Sequence, residues 1–293
     1  MRPRRSKDIW GWEFIAPALL LITLFVIVPC VWGIGMSFTQ FDGIGSPRFV
    51  GAANYVRLKD DPLVWTTLLN TGLYVLLTLP TGLVLSLLVA MALHQKWFKG
   101  RSWMRAIYFL PNVTSLAAVA FVWEWLLNPE YGLINAGLRV VGLKGMGWLS
   151  DPALAMPTVA TVSIWHDLGF GVLIYLSGLR SIPEEVLEAA KIDGANSWQS
   201  LRYVTWPLLT PTTMFLTMMG VIGGFQVFQS VYIMTGGGPL DKTRVYLFYL
   251  WQTAFQSLDF GYASALAVLL FVIVMALTLA QRHYYSRRLQ TWQ

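Results

Sequence analysis

A polar segment interrupts a chain that is otherwise dominated by long apolar runs. It contains Glu188-Ala189-Ala190-Lys191-Ile192-Asp193-Gly194-Ala195, and Val204-Thr205-Trp206-Pro207 follows. Pro183 and the acidic residues after it favour the start of a helix, because both suit its first turn. Gly194 favours the end of that helix, and Asn196 or Ser197 can cap a second one. The segment therefore predicts a short helical hairpin with an apolar side and an acidic rim, which is typical of a docking element.

The composition excludes a soluble protein. Hydrophobic residues make up 56% of the 293 residues and charged residues 12%, whereas soluble domains carry about 25% charged residues. The chain also has 14 Trp and 16 Phe, and aromatic residues are enriched at membrane interfaces. Its single cysteine, Cys30, excludes an intramolecular disulfide or a cysteine metal cluster. These features predict a polytopic membrane protein surrounded by lipid.

Six apolar stretches are long enough to cross a bilayer as helices, which requires roughly 20 residues. The predicted spans are 14–36, 68–93, 106–127, 153–179, 206–234 and 261–280. Barrel strands are excluded because each would need only about ten alternating residues. The predicted fold is an all-α polytopic membrane protein with six transmembrane helices in one domain, 14–282. A short segment, 1–13, precedes this domain, and a tail, 283–293, follows it.

The basic residues predict how the chain is oriented. Of the 21 Lys and Arg residues, 14 fall on the side of the spans that holds both termini and the segment 180–205. Because basic loops stay in the cytoplasm, both termini and this segment are predicted to be cytoplasmic. The segment then forms coupling helices between spans four and five. The net charge of +6 is explained by this distribution and does not indicate a nucleic-acid partner.

Several spaced motifs together resemble one family. The pattern of Glu188-Ala189-Ala190, Gly194, Val204 and Pro207 is similar to the EAA loop of ABC importer permeases. Other motifs resemble the sugar and glycerol-phosphate (maltose-type) branch of that family: Asn54-Tyr55, Phe109-Leu110-Pro111, Asn128-Pro129 with Gly132-Leu133-Ile134-Asn135, Thr235-Gly236-Gly237-Gly238-Pro239 and Phe260-Gly261-Tyr262-Ala263. The resemblance runs from about Trp12 to Arg282. Leu201, Val204 and Trp206 depart mildly from the family pattern.

The resemblance implies a set of partners and coupling residues. In the family, the EAA loop (residues 180–205) docks on a cytoplasmic ATPase. The coupling residues carried over are Glu188, Ala189, Ala190, Asp193, Gly194, Ala195, Val204 and Pro207. The implied partners are a second permease subunit, two cytoplasmic ATPase subunits that use ATP, and an extracytoplasmic solute-binding protein, all at the cell inner membrane of a bacterium or archaeon. The chain itself is predicted to bind no cofactor or metal and to catalyse no reaction.

The predicted spans carry a few polar residues that are candidates for a solute path. His166 and Asp167 lie inside span four, where ionisable residues are costly and mark functional sites by default. They form a solute-contacting or cavity-lining pair, or a buried pair whose members satisfy each other, or they lie at a wet cavity without a role in selectivity. A proton relay is a further option, although a single His-Asp pair gives it little support. Phe225, Gln226 and Gln229 on span five form either a wall for a hydroxylated solute or interhelical hydrogen bonds.

Two other classes of protein remain open from the sequence. A stand-alone secondary transporter would use the His166-Asp167 pair, although such proteins usually carry more intramembrane charges and an internal repeat. A membrane-anchoring subunit would explain the docking loop but not the polar residues in the spans. Gly236 to Lys242 does not form a phosphate loop, because Asp241 stands where a glycine must precede the lysine. Any ATP chemistry is therefore expected in a partner.

Overall fold

The computed structural model describes residues 5–94 and 101–290, so the predicted end segments 1–13 and 283–293 lie partly outside it. The described chain is mainly helical. Two short strands, β1 (Thr39–Gln40) and β2 (Arg48–Phe49), pair antiparallel. The α-helices are α1 Arg5–Ile22, α2 Val28–Met36, α3 Ala53–Asp60, α4 Pro62–His94, α5 Arg101–Val113, α6 Leu116–Leu126, α7 Leu133–Val140, α8 Ala155–Arg180, α9 Glu184–Ile192, α10 Ser197–Ser200, α11 Trp206–Leu208, α12 Thr210–Phe225, α13 Gln229–Met234, α14 Tyr246–Trp251 and α15 Phe260–Gln290. Three π-helical turns cover Thr23–Ile27, Leu201–Thr205 and Gln252–Gln256.

Four helical segments are long and apolar enough to cross a membrane. They are Phe14–Met36, Pro62–His94, Ala155–Arg180 and Phe260–Ser286. These segments correspond to the predicted spans one, two, four and six. Two of them reach beyond the predicted bounds at both ends, because the helices continue past the apolar stretch into polar residues.

The predicted third span, 106–127, is not one continuous helix. It consists of the end of α5 and all of α6, which meet at an angle of 107°. Pro111 in the last turn of α5 cannot donate a backbone hydrogen bond. The Thr114 hydroxyl donates to the Pro111 carbonyl over 2.6 Å, and Ser115 takes an extended conformation before α6 begins. Hydropathy averages over this break, so the apolar run appeared uninterrupted.

The predicted fifth span, 206–234, is also interrupted. A bend of 65° separates Ser197–Leu208 from α12, and α12 ends at Phe225. Residues 226–228 are not helical, and α13 starts only at Gln229. Within residues 5–94 and 101–290, four helices are therefore long and apolar enough to cross a membrane, or up to six if each bent pair counts as one span.

The chain divides into two compact units, of which the first comprises the residues up to Pro62 and Leu250–Val272. Within it, the guanidinium of Arg57 lies 2.6 Å from Asp259 Oδ2 and 3.8 Å from the ring centroid of Tyr262. The Tyr262 hydroxyl donates to Asp61 Oδ2 over 2.7 Å. The side chain of Asn54 donates to the carbonyls of Ser37 and Thr39. These contacts fix α3 against the start of α15 and against the end of α2.

The second unit comprises Leu63–Tyr249 and the chain from Ile273 onward. Its hydrophobic core is formed by α4, α8 and α12, with Tyr175 and Leu209 fully buried. In the loop region around α7, Asn135 is 1% exposed. Its amide donates to the carbonyls of Met146 and Pro129, and its oxygen accepts from the Met146 amide and the Trp148 indole. One buried side chain therefore organises this loop.

Candidate functional site

The first half of the EAA loop is a helix with well-defined ends. Helix α9 starts directly after Pro183, and Glu184 and Glu185 lie in its first turn. At its end Gly194 has a φ of +80°. The Ala195 amide donates to the Ala190 carbonyl over 2.9 Å, and the Gly194 amide donates to the Lys191 carbonyl over 3.1 Å. These two bonds with a left-handed glycine form a Schellman motif, as the sequence predicted for Gly194.

The second half of the loop begins with a reciprocal cap. The Asn196 side chain accepts from the Gln199 amide, and the Gln199 side chain accepts from the Asn196 amide, both over 2.8 Å. This capping box satisfies two amides that a helix start leaves without intrahelical partners. The π-helical turn Leu201–Thr205 and α11 then lead into α12. The predicted cap at Asn196 is confirmed.

Three large apolar side chains of this hairpin are exposed. Ile192 is 85% exposed, Trp198 67% and Tyr203 66%. Glu188, Ala189, Asp193 and Gly194 are exposed as well, whereas Ala190, Ala195, Val204 and Pro207 are half-buried. Seven of the eight predicted coupling residues lie in the loop 180–205, and Pro207 lies in α11 directly after it. Their role in coupling stays a prediction.

The inner side of the hairpin is attached to the core of the second unit. Ile182 is buried in the cluster that contains Leu179 and Leu209, and Leu187 of α9 packs against the same cluster. The hairpin is also the direct chain connection between α8 and α12. It is therefore fixed at its base and open on its outer face.

A cavity of about 310 Å³ lies among α4, α5, α8 and α12, a size suited to a small-molecule ligand. Its polar lining side chains come from three of these helices. They are Tyr74, Thr78, Ser86, Asn112, Ser163 and Asp167. Apolar side chains such as Phe170 and Met219 complete the wall.

Glycines of α12 shape the wall of this cavity. A methyl group on Gly220 would lie 2.5 Å from Leu79 Cδ1, and one on Gly224 would lie 2.7 Å from Val75 Cγ2. A methyl group on Gly223 would meet no atom within 4 Å. Gly220 and Gly224 therefore allow close packing on α4, while Gly223 faces open space in the cavity.

His166 and Asp167 form a pair with two different environments. His166 Nδ1 lies 2.6 Å from Asp167 Oδ1, and His166 Nε2 lies 3.3 Å from the Thr114 carbonyl oxygen at the break between α5 and α6. The His166 side chain is 9% exposed and that of Asp167 69%. Among the described residues, Asp167 lines the cavity and His166 does not. The two residues therefore contact each other and Asp167 also borders the cavity, while their contact with a solute stays a prediction.

The other predicted solute-path residues do not line this cavity. Phe225 is buried at the end of α12, Gln226 is exposed within the break that follows, and Gln229 is exposed at the start of α13. Sequence reasoning missed Tyr74 and Thr78 and also Ser163, which stands four residues before Asp167. Polar residues spaced by four in an apolar helix share one face, and that spacing could have found them.

These features define a class: a helical membrane permease with a partly polar cavity among its helices and an exposed helical hairpin. The chain belongs to the family described as binding-protein-dependent transport system inner membrane component, whose model matches residues 67–290. It is a permease subunit of a binding-protein-dependent importer and not an enzyme. The family resemblance stated from the motifs is confirmed, and this membership replaces the secondary-transporter and anchoring alternatives.

Individual relatives agree with the family. A probable ABC transporter permease protein of Pyrococcus horikoshii is 37% identical, over 94% of this chain and 96% of that protein. The lactose transport system permease protein LacF of Rhizobium radiobacter is 32% identical, over 97% and 96%. Among solved structures, a bacterial ABC transporter that imports the acidic polysaccharide alginate gives a TM-score of 0.85 at 24% identity, over 97% of this chain and 99% of that one. At this identity the likeness concerns the fold alone.

Proposed function

We propose that this chain is one of two permease subunits of an importer for a sugar or a related polyol or glycerol-phosphate. The importer lies in the inner membrane of a bacterial or archaeal cell. An extracytoplasmic binding protein delivers the solute, and two cytoplasmic ATPase subunits hydrolyse ATP. ATP-driven closure of the ATPases opens the cavity outward, and hydrolysis returns it inward.

Carbohydrate relatives support the solute class. LacF is named for lactose, and the structural neighbour is described as importing alginate. A second neighbouring structure, also with a TM-score of 0.85, holds a periplasmic protein bound to an alginate pentasaccharide, which supports a binding-protein partner here. The hydroxyl, amide and aromatic groups on the cavity wall suit a polyhydroxylated solute.

The observation that carries the coupling proposal is the position of the hairpin in the chain. It joins α8 directly to α12, and both helices line the cavity. Docking of an ATPase on Ile192, Trp198 and the neighbouring Glu188 therefore acts on the two cavity walls through a short connection. The half-buried Val204 and Pro207 lie where that connection enters α12.

We further propose six spans with both termini in the cytoplasm. Four long apolar helices and two bent pairs support this number, and the distribution of Lys and Arg supports the orientation. The EAA loop then faces the cytoplasm, as an ATPase partner requires.

Affinity purification from the native membrane tests the assembly. In mild detergent, we expect an ATPase and a second permease to co-purify with this chain, as identified by mass spectrometry. Reconstituted with the binding protein, the complex should take up a labelled sugar only when ATP is supplied. A homo-oligomer without an ATPase, or uptake without ATP, would contradict the proposal.

A further inference from the structure

The described part of the cavity wall carries negative charge and no positive charge. Among the described lining residues, Asp167 is the only one with an ionisable carboxylate, and none is Lys, Arg or His. The remaining polar groups are the neutral hydroxyls and the amide of Tyr74, Thr78, Ser86, Asn112 and Ser163. A solute in this cavity therefore meets hydrogen-bonding groups and a carboxylate, with no cation from these residues to balance a negative group.

The histidine beside Asp167 does not itself line the cavity. Its two ring nitrogens lie near two acceptors, the Asp167 carboxylate and the Thr114 carbonyl. That ring is buried behind the carboxylate, whose side chain is 69% exposed. The bond to His166 orients Asp167 and leaves its remaining lone pairs free to accept hydrogen bonds from the cavity side.

We propose that Asp167 is a specificity-determining residue that restricts this cavity to uncharged polyhydroxylated solutes. The inference rests on the proposed function, and within it favours a neutral sugar or polyol over a glycerol-phosphate. Sugar hydroxyls donate to the carboxylate, and such charge-assisted bonds are strong. The aromatic ring of Phe170, which is 38% exposed, offers apolar surface for the C–H face of a sugar ring.

A solute with a carboxylate, sulfonate or phosphate is disfavoured by the same residue. Two like charges about 5 Å apart at an effective dielectric constant near 20 lower binding by roughly two orders of magnitude. The neighbouring transporter of the same fold is described as importing an acidic polysaccharide. This chain is expected to differ from it in solute charge.

Direct binding to the assembled complex tests the proposal. The complex in lipid nanodiscs is measured without the binding protein, because that protein imposes its own selectivity. The probes are lactose, maltose and cellobiose, each paired with the uronate in which one CH₂OH group is oxidised to a carboxylate. Saturation-transfer NMR titration gives the ratio of the affinities within each pair.

We expect the neutral member of at least one pair to bind about a hundredfold more tightly than its uronate. Asp167→Asn, which keeps the shape of the side chain and removes its charge, should lower this ratio to within about tenfold. Asp167→Glu should keep it. Glu124→Gln is the matched control, because it removes a carboxylate on α6 that does not line the cavity, and it should leave the ratio unchanged.

The outcomes separate this inference from the function on which it rests. Equal binding of neutral and anionic probes to the wild-type complex refutes charge selection while keeping the cavity as a solute site. An unchanged ratio in Asp167→Asn, in a complex that still holds its ATPase, refutes the role of Asp167. If no neutral probe binds saturably, the cavity is not the solute site, and both the inference and the proposed solute path are wrong.

Discussion

Replacement of Gly194 by valine tests whether the backbone conformation of the docking hairpin determines affinity for the ATPase. Gly194 has a φ of +80°, and a methyl group there would meet no atom within 4 Å. The cost is therefore conformational and not steric. An L-residue in the left-handed region costs about 1–2 kcal/mol, and a β-branched residue is a particular outlier there. If the chain relaxes, the two hydrogen bonds that end α9 are lost, and Ile192 and Trp198 change their relative position.

A cost of about 1–2 kcal/mol corresponds to a five- to thirtyfold loss in an equilibrium. We expect a loss of that size in the affinity of the permease pair for its ATPase, measured by titrating labelled ATPase onto the complex in nanodiscs. Gly194→Asn should lose less than threefold, because asparagine tolerates the left-handed conformation. Membrane insertion should be unaffected, since the hairpin is exposed.

Gly142 provides a matched control within the same chain. It has a φ of +79° with no atom near a methyl group, and it ends α7 with the same pair of hydrogen bonds. Gly142→Val carries the same conformational cost in a loop predicted to face away from the cytoplasm, and should leave ATPase affinity unchanged. If Gly194→Val binds the ATPase as tightly as wild type, or if Gly142→Val weakens it equally, the hairpin is not the surface that the ATPase recognises.

Three further predictions concern packing and orientation. Gly224→Ala should destabilise the complex by about 1–3 kcal/mol, because the added methyl group overpacks the contact with α4. This should lower the Tm, whereas Gly223→Ala should not. Equal melting temperatures of the two variants would contradict the close approach of α12 to α4 at Gly224. Asn135→Ala removes four hydrogen bonds and should cost about 3 kcal/mol, seen as faster proteolysis of the loop after α7; wild-type resistance would refute its organising role. Ser197→Cys in a Cys30→Ser background should react with a membrane-impermeant maleimide only from the cytoplasmic side, and labelling from outside would overturn the orientation.

The hairpin was predictable because its determinants are local. Pro183, Gly194 and Asn196 each act on the backbone within a few residues. A local signal of this kind does not depend on what the rest of the chain packs against. Four of the six spans were also predictable, since length and apolar composition suffice for a long straight helix.

The breaks in the other two predicted spans depend on more than hydropathy. Pro111 was interpreted only as part of a family motif, and the bond from the Thr114 hydroxyl to the Pro111 carbonyl, which accompanies the break, is not visible in hydropathy. The end of α12 at Phe225 follows a stretch with Gly223 and Gly224, whose conformational freedom weakens a helix. Because the sequence interpretation kept this helix continuous, it placed Gln226 and Gln229 on one wall with Phe225.

The cavity could be predicted only in part. Asp167 was found because a charge in an apolar helix is rare. Tyr74, Thr78 and Asn112 are neutral. They do not stand out from the many polar residues whose side chains hydrogen-bond to backbone carbonyls of their own helix. Thr78, for example, also donates to the Tyr74 carbonyl over 2.8 Å. The four-residue spacing identifies a shared polar face within one helix, but whether that face borders a cavity depends on tertiary packing.

The contact between α8 and α12 varies along their length, and this variation bears on coupling. Near the hairpin, a methyl group on Gly178 would lie 2.5 Å from Thr212 Oγ1, and the Tyr175 hydroxyl donates to Thr213 Oγ1 over 3.3 Å. Farther along, Asp167 on α8 and Gly223 on α12 both line the cavity. Densely packed interfaces move as units instead of deforming continuously. We therefore expect a displacement of the hairpin to carry the bases of both helices together, so that the cavity, where their packing is loose, changes shape.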